Sequence, residues 1–139
     1  MALLGVCLAL AASAAAPVFV PTTEFTLAWT HSIEKVRWEE DYAVRQAAAP
    51  GSPPVLHALQ ARVRGSAAGM EPPPDARLVN GWYVYTPGIG QPAALALTRS
   101  EFTPDYDFCT PSGCQPLSAL LASDGGVTAL SACAAPASR

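Results

Sequence analysis

Hydrophobic and polar residues alternate most regularly between positions 24 and 44. In the first half of this stretch the apolar residues stand at odd positions, namely Phe25, Leu27, Trp29 and Ile33. In the second half they stand at even positions, namely Val36, Trp38, Tyr42 and Val44. Because successive side chains of a strand point to opposite faces, this pattern predicts two β-strands, each with one apolar face and one polar face.

Each predicted apolar face carries one polar residue, His31 in the first strand and Glu40 in the second. A four-residue connection at positions 34–37 would place the two directly opposite each other, and a two-residue connection at positions 34–35 would place them diagonally. Burial of an unpaired imidazolium or carboxylate is costly, so a His31–Glu40 pair would satisfy both groups. Such a pair suits an acid–base dyad, half of a ligand site, or a structural link between the strands.

Similar alternation recurs along the rest of the chain. It predicts further strands at residues 55–64, 94–100 and 127–133, separated by loops rich in Pro and Gly. Within residues 78–85, the pair Asn80-Gly81 predicts a two-residue hairpin turn, or else only the start of a strand at residues 82–86. Within residues 55–64, the odd positions from Val55 to Val63 are expected on one face.

Residues 116–121 begin with proline, which predicts one or two turns of helix near the C-terminus. With about six strands and turn residues between them, the chain is predicted to form a single all-β domain over residues 24–133. This domain is either a small sandwich or a partly open barrel. Residues 134–139 are expected to form a flexible tail.

The composition agrees with one domain and argues against several classes of partner. The chain has 139 residues, of which half are hydrophobic and 14% are charged, and its net charge is −3. This length is enough for one modest core. A weakly negative chain with scattered arginines gives no electrostatic support to the binding of nucleic acid or of an acidic membrane surface.

The first sixteen residues form an uncharged apolar run that ends in small residues. Residues 12–14 (Ala-Ser-Ala) match the cleavage pattern of a secretory signal, although no Lys or Arg follows Met1. This pattern indicates an exported, periplasmic or cell-envelope protein from which residues 1–16 are removed. The alternative is an uncleaved N-terminal anchor extending to Val20, close to the ~20 residues that a membrane span requires.

Removal of residues 1–16 would leave three cysteines, Cys109, Cys114 and Cys133. In an exported protein these are disulfide candidates. Cys109 and Cys114 could close a short loop, or either could pair with Cys133, and the odd count leaves one thiol free or available to a second chain. A zinc site would need a fourth ligand at a suitable spacing, so neither a metal nor another cofactor is predicted.

Other candidate motifs lack residues that their chemistry requires. Ser32 follows His31, but neighbouring strand positions point to opposite faces, which opposes a nucleophile–base pair. Residues 65–70 could hold an anion through backbone amides, or Gly69 could supply a turn with positive φ. Residues 105–107 (Asp-Tyr-Asp) resemble part of a calcium loop whose other ligands are missing, and they are interpreted as a solvated turn.

Several stretches together resemble one family of bacterial proteins. They are residues 31–35 (His-Ser-Ile-Glu-Lys), 38–42, 64–66, 69–73, 80–82 (Asn-Gly-Trp) and 99–103 (Arg-Ser-Glu-Phe-Thr). They resemble a family of domains of unknown function, DUF1850, whose members look like small exported or membrane-tethered proteins encoded beside TRAP-type transporters of the TAXI subclass. The resemblance implies an accessory role in solute uptake and no catalytic residue. The family more often has Gly-Ala-Gly where this chain has Ala67-Ala68-Gly69.

The expected function is therefore that of an exported, non-catalytic domain that binds a small solute or a partner such as a TRAP transporter subunit. The candidate binding residues are His31, Ser32, Trp38, Glu40 and Gly69. One alternative is a small periplasmic enzyme that uses His31 and Glu40 as acid and base. The other is a structural protein of the cell envelope. Contact with a membrane is expected only through an uncleaved N-terminus.

Overall fold

A computed structural model of the protein describes residues 2–30, 36–64, 74–88, 90–100 and 102–136. The strands in these ranges are β1 (Ala2–Leu10), β2 (Val18–Val20), β3 (Glu24–Thr30), β4 (Arg37–Arg45), β5 (Val55–Arg64), β6 (Arg77–Val79), β7 (Trp82–Tyr85), β8 (Ala94–Thr98), β9 (Asp107–Thr110), β10 (Gly113–Pro116) and β11 (Val127–Pro136). A 3-10 turn, Leu117–Ala119, follows β10 directly.

The strands form two sheets that do not close into a barrel. The smaller sheet has the order β2-β1-β11-β8, and the larger has the order β10-β9-β3-β4-β5-β7-β6. Every neighbouring pair among these strands is antiparallel. Antiparallel sheets commonly bury one face and leave the other in water, which agrees with the alternation seen in the sequence.

The core lies between the two sheets. Its members from the smaller sheet are Val6, Leu8, Leu97, Leu130 and Ala132, and those from the larger sheet are Phe25, Leu27, Tyr42, Val44, Leu56 and Phe108. The Phe25 ring stacks on the rings of both Tyr42 and Phe108, with centroids 5.2 Å apart in each case. In a chain rich in alanine, these rings contribute a large share of the buried area.

The prediction of an all-β domain is confirmed, but its details require correction. The described residues contain eleven strands in two open sheets, where the sequence predicted about six. Strands β9 and β10 have four residues each, too few for an alternation to be recognised. The hairpin predicted from Asn80-Gly81 is confirmed, since β6 pairs with β7 across these two residues. The predicted helical turns shrink to one 3-10 turn, because a single turn has too few hydrogen bonds to propagate.

The two faces of the β3–β4 hairpin are as predicted, whereas its register is not. Leu27 lies opposite Glu40, and Trp29 lies opposite Trp38. Both predicted registers placed Glu40 farther along the first strand, opposite Trp29 or His31, so both are wrong. A shift of two residues leaves every side chain on the same face, and for this reason the alternation could not select the register. Residues 31–35, which connect the strands, lie outside the described ranges.

Strand β5 contains a bulge at Leu59. Asp41 pairs with Gln60 and the next residue of β4, Tyr42, pairs with Ala58, so Leu59 has no partner in β4. The extra residue reverses the alternation along the strand. The prediction that the odd positions from Val55 to Val63 share one face is therefore wrong.

The N-terminal segment forms a central strand of the smaller sheet. β1 lies between β2 and β11, and its Val6 and Leu8 are fully buried. A side chain at Gly5 would collide with the Val20 carbonyl and the Phe19 ring of β2, so glycine allows β2 to pack closely here. Cleavage of residues 1–16 stays a prediction, and it would remove this strand. No helix among the described residues has the length and hydropathy of a membrane span.

All four cysteines form disulfides. Cys109 and Cys114 lie opposite each other on β9 and β10 and are bonded, which is one of the pairings left open above. Cys133 on β11 is bonded to Cys7 on β1, which belongs to the segment predicted to be removed. With Cys7 present in the folded domain, no cysteine remains free.

Replacement of Cys7 and Cys133 by serine is expected to lower the free energy of unfolding more than the same change at Cys109 and Cys114. The first bond joins residues separated by 126 positions and the second joins residues separated by 5. Loop-closure entropy assigns roughly 5 and roughly 2 kcal/mol to these separations. Urea denaturation of the two double variants measures the difference, and equal losses would contradict the expectation.

Candidate functional site

Glu40 lies on the core-facing side of the larger sheet. It belongs to a row of residues that crosses four neighbouring strands. The row consists of Leu27 on β3, Glu40 on β4, Ala61 on β5 and Tyr85 on β7. The Tyr42 hydroxyl donates a hydrogen bond of 2.7 Å to Glu40 Oε1. The Tyr42 hydroxyl supplies the partner that a partly buried charge requires.

Three tyrosines have pKa values raised by burial and by the negative charge of Glu40. They are Tyr42, Tyr85 and Tyr106, and in each of them burial is the larger cause. In Tyr42 the hydrogen bond to Glu40 raises the pKa further. These phenols consequently stay protonated at physiological pH, where they act as hydrogen-bonding groups and not as bases.

Aromatic rings extend from this row toward the end of the hairpin. The rings of Trp29 and Trp38 are nearly parallel, at 6° and with centroids 6.1 Å apart. Trp29 also contacts Tyr106 in a tilted arrangement at 5.8 Å. Through this contact the β3–β4 hairpin adjoins the loop that precedes β9.

Arg99 lies directly after β8 and is almost completely buried, with 3% exposure. Its Nη1 donates to the carbonyl of Leu121 at 2.7 Å and to Thr128 Oγ1 at 3.3 Å. Its Nη2 donates to Asp105 Oδ1 at 3.3 Å, and the same oxygen accepts a hydrogen bond from the Tyr106 amide. A buried guanidinium requires such partners, and these bonds hold the Tyr106 loop against β8 and β11.

Two adjoining depressions lie on either side of Tyr106, and we refer to them together as the Tyr106 groove. Their volumes are about 580 and 250 Å³. Both are lined by Thr98, Ser100, Pro104 and Tyr106; the larger is also lined by Arg99, Phe102, Asp105, Ser118, Ser123, Asp124 and Gly125, and the smaller by Trp29, Thr30 and Thr103. The groove therefore combines aromatic rings with many hydroxyl groups, a lining suited to binding a small molecule.

The hairpin and most of the groove fall within a stretch that matches a known family. Residues 25–117 match the model described as Domain of unknown function (DUF1850). The chain belongs to this family. Significant matches were found neither among curated proteins nor among solved structures. The DUF1850 stretch includes Trp29, Glu40, Arg99 and Tyr106, whereas β1, β2 and β11 lie outside it.

The opposite face of the larger DUF1850 sheet carries a network of ion pairs. Arg62 contacts Glu39 and Asp41, both at 2.8 Å, and Arg37 contacts Glu39 at 2.8 Å and Asp107 at 3.2 Å. Burial opposes ionisation of Glu39, but the hydrogen bonds from Arg37 and Arg62 outweigh it and lower the pKa of Glu39. Arg62 joins β5 to β4, and Arg37 joins β4 to β9 across the intervening β3, so these ion pairs link strands of the sheet.

Of the candidate binding residues, the structure describes Trp38 and Glu40. His31, Ser32 and Gly69 lie outside the described residues, and the His31–Glu40 contact stays a prediction. Direct opposition of the two in the sheet is excluded for the described register, because Leu27 occupies the position opposite Glu40. The polar partner that the structure gives to Glu40 is Tyr42.

Sequence reasoning missed the roles of Arg99, Asp105 and Tyr106. Residues 105–107 are predicted to form a solvated turn, but Asp105 bonds to the buried Arg99, and Asp107 belongs to β9. A lone arginine at the end of a predicted strand looks like an ordinary exposed position. One feature of the sequence could have indicated the Arg99–Asp105 pair. An arginine lies at the end of a predicted strand and an aspartate follows six positions later, within the stretch that resembles the family.

Because the pKa of Tyr42 is raised, the free energy of unfolding should fall as the pH rises above about 10. In that range the unfolded chain loses the Tyr42 proton while the folded chain keeps it, which costs roughly 1 kcal/mol per pH unit. The variant Tyr42→Phe removes this contribution. Its urea-denaturation midpoint should therefore depend less on pH between about 10 and 11 than the wild-type midpoint does.

The control is Leu78→Ala, which changes an exposed residue on the edge strand β6 and removes no titratable group. The alkaline pH dependence of its stability should resemble that of the wild type. If the urea-denaturation midpoints of Tyr42→Phe and the wild type depended equally on pH, burial and Glu40 would not be what keeps Tyr42 protonated in the folded chain.

Proposed function

We propose that this DUF1850 protein is an exported, non-catalytic domain that binds a small solute in the Tyr106 groove and serves a TAXI-type TRAP transporter. The observation that carries the proposal is the contact between Trp29 and Tyr106, with ring centroids 5.8 Å apart. This contact joins the β3–β4 hairpin to an open groove that is large enough for a small ligand. The residues that resemble the family and the residues proposed to bind the solute therefore lie in the same part of the molecule.

The described groups that line the groove favour binding over catalysis. Glu40 is not among them, and the carboxylate of Asp105 is bonded to Arg99 Nη2 and to the Ser118 amide. A general base must lie within reach of the substrate proton. The hydroxyl groups and aromatic rings that line the groove can instead orient a ligand without reacting with it.

The two disulfides support export. Disulfides persist in oxidising compartments and are rare in the cytosol. Cys109–Cys114 joins β9 to β10 and lies outside the predicted signal segment, whereas Cys7–Cys133 joins β1 to β11 in the chain that keeps residues 1–16. Each bond stabilises the fold under oxidising conditions. A periplasmic or envelope location would also place the domain where an uptake system first meets its solute.

Affinity capture from envelope extracts of the organism that encodes the chain tests this proposal. The tagged full-length chain should recover a TRAP transporter subunit, identified by mass spectrometry. The variant Tyr106→Ala, which removes the ring shared by both depressions, should recover less of it. The control Leu78→Ala changes an exposed residue on the edge strand β6 and should behave as the wild type does. Recovery of no transporter subunit by the wild-type chain would overturn the transporter association.

A further inference from the structure

Phe102 is the most exposed of the large hydrophobic residues described in the structure. Its exposure is 87%, and it lies at the rim of the larger depression of the Tyr106 groove. The Phe102 amide donates a hydrogen bond of 3.0 Å to Ser100 Oγ, which ties this position to the loop that lines the groove. An aromatic ring left in water at the rim of a pocket is available to stack on a ligand.

The charges at the base of the groove are already compensated. Arg99 is paired with Asp105, whose Oδ2 also accepts a hydrogen bond of 2.7 Å from the Ser118 amide. The remaining donor of Arg99, Nε, has no partner in the described structure, but it is buried and out of contact with the surface. An anion in the groove would therefore have to displace Asp105 to reach the guanidinium.

Among the described residues that line the groove, the other hydrogen-bonding side chains are mostly neutral. They are the hydroxyls of Thr98, Ser100, Thr103, Ser118, Ser123 and Tyr106. Ser100 Oγ and Ser123 Oγ each accept a hydrogen bond from a backbone amide and Thr103 Oγ1 donates to the Ser100 carbonyl, but each of these hydroxyls keeps a further donor or acceptor site. One carboxylate, that of Asp124, adds an acceptor, and its Oδ1 receives a hydrogen bond from the Gly126 amide. Hydroxyl groups both donate and accept hydrogen bonds, so this lining matches a ligand that is itself rich in hydroxyls.

We infer that the Tyr106 groove is a binding site for a neutral saccharide, with the Phe102 ring as its stacking platform. The C–H groups of a sugar ring carry partial positive charge and pack on the negative face of an aromatic ring. The hydroxyls of the sugar then face the serine and threonine side chains of the groove. This inference rests on the proposed function, because it names the class of solute that the groove takes.

Titration of the full-length chain with three neutral trisaccharides, maltotriose, cellotriose and N,N′,N″-triacetylchitotriose, tests the inference. Trp29 lines the smaller depression, so binding should change the tryptophan fluorescence, and calorimetry gives the dissociation constant. At least one trisaccharide should bind at millimolar concentration or below. Phe102→Ala should weaken that binding roughly tenfold, the value expected for loss of one stacking contact, whereas Leu78→Ala should leave it unchanged.

Binding of succinate in preference to all three trisaccharides would overturn the inference, as would the absence of saccharide binding or equal affinity in Phe102→Ala. Circular dichroism of each variant verifies that the fold is retained. Failure of the inference is distinguishable from failure of the proposed function. If the wild-type chain captures a transporter subunit but binds no saccharide, the ligand class is wrong; if it captures none, the transporter association is wrong whatever the saccharide result.

Discussion

The antiparallel pairing of β3 with β4 is the constraint on which the rest of the structure depends. Its register places Leu27 opposite Glu40 and Trp29 opposite Trp38. Cross-strand neighbours on one face determine which side chains pack together. A shift of two residues would place Trp29 opposite Glu40 and would separate the two indole rings. The Glu40 carboxylate would then lie against the apolar Trp29 ring. The observed register avoids that cost, and it leaves Trp29 in position to contact the Tyr106 loop.

Polar groups in this fold are satisfied differently on the two faces of the larger sheet. On the outer face, carboxylates and guanidinium groups are paired with one another across strands in partial contact with water, where each pair contributes little to stability. On the inner face, Glu40 has a phenol as its partner. Arg99, which is more deeply buried, uses a carbonyl, a hydroxyl and a carboxylate. The inner contacts are the costly ones to break, because an unpaired charge would remain in a region of low dielectric constant.

The sequence was sufficient to predict the fold class and the two faces of the central hairpin, since both follow from the period-two pattern around Phe25 and Tyr42. It was insufficient for the register, because every shift by an even number of residues satisfies the same pattern. It could not show the bulge at Leu59, where one extra residue reverses the faces without a change in composition. The N-terminal run was ambiguous for a different reason: an apolar stretch that includes Val6 and Leu8 suits both a secretory signal and a buried central strand. The groove depends on contacts between residues distant in sequence, such as Arg99 with Thr128, which no local pattern contains.

The most direct test of this structure is the set of nuclear Overhauser contacts across the β3–β4 hairpin in solution. The described register predicts contacts between the backbone protons of Leu27 and Glu40, and between the indole rings of Trp29 and Trp38. Backbone contacts that join Glu40 to Trp29 or to His31 would instead show a register shifted by two or four residues. That result would contradict the packing of Trp29 on Tyr106 and, with it, the groove.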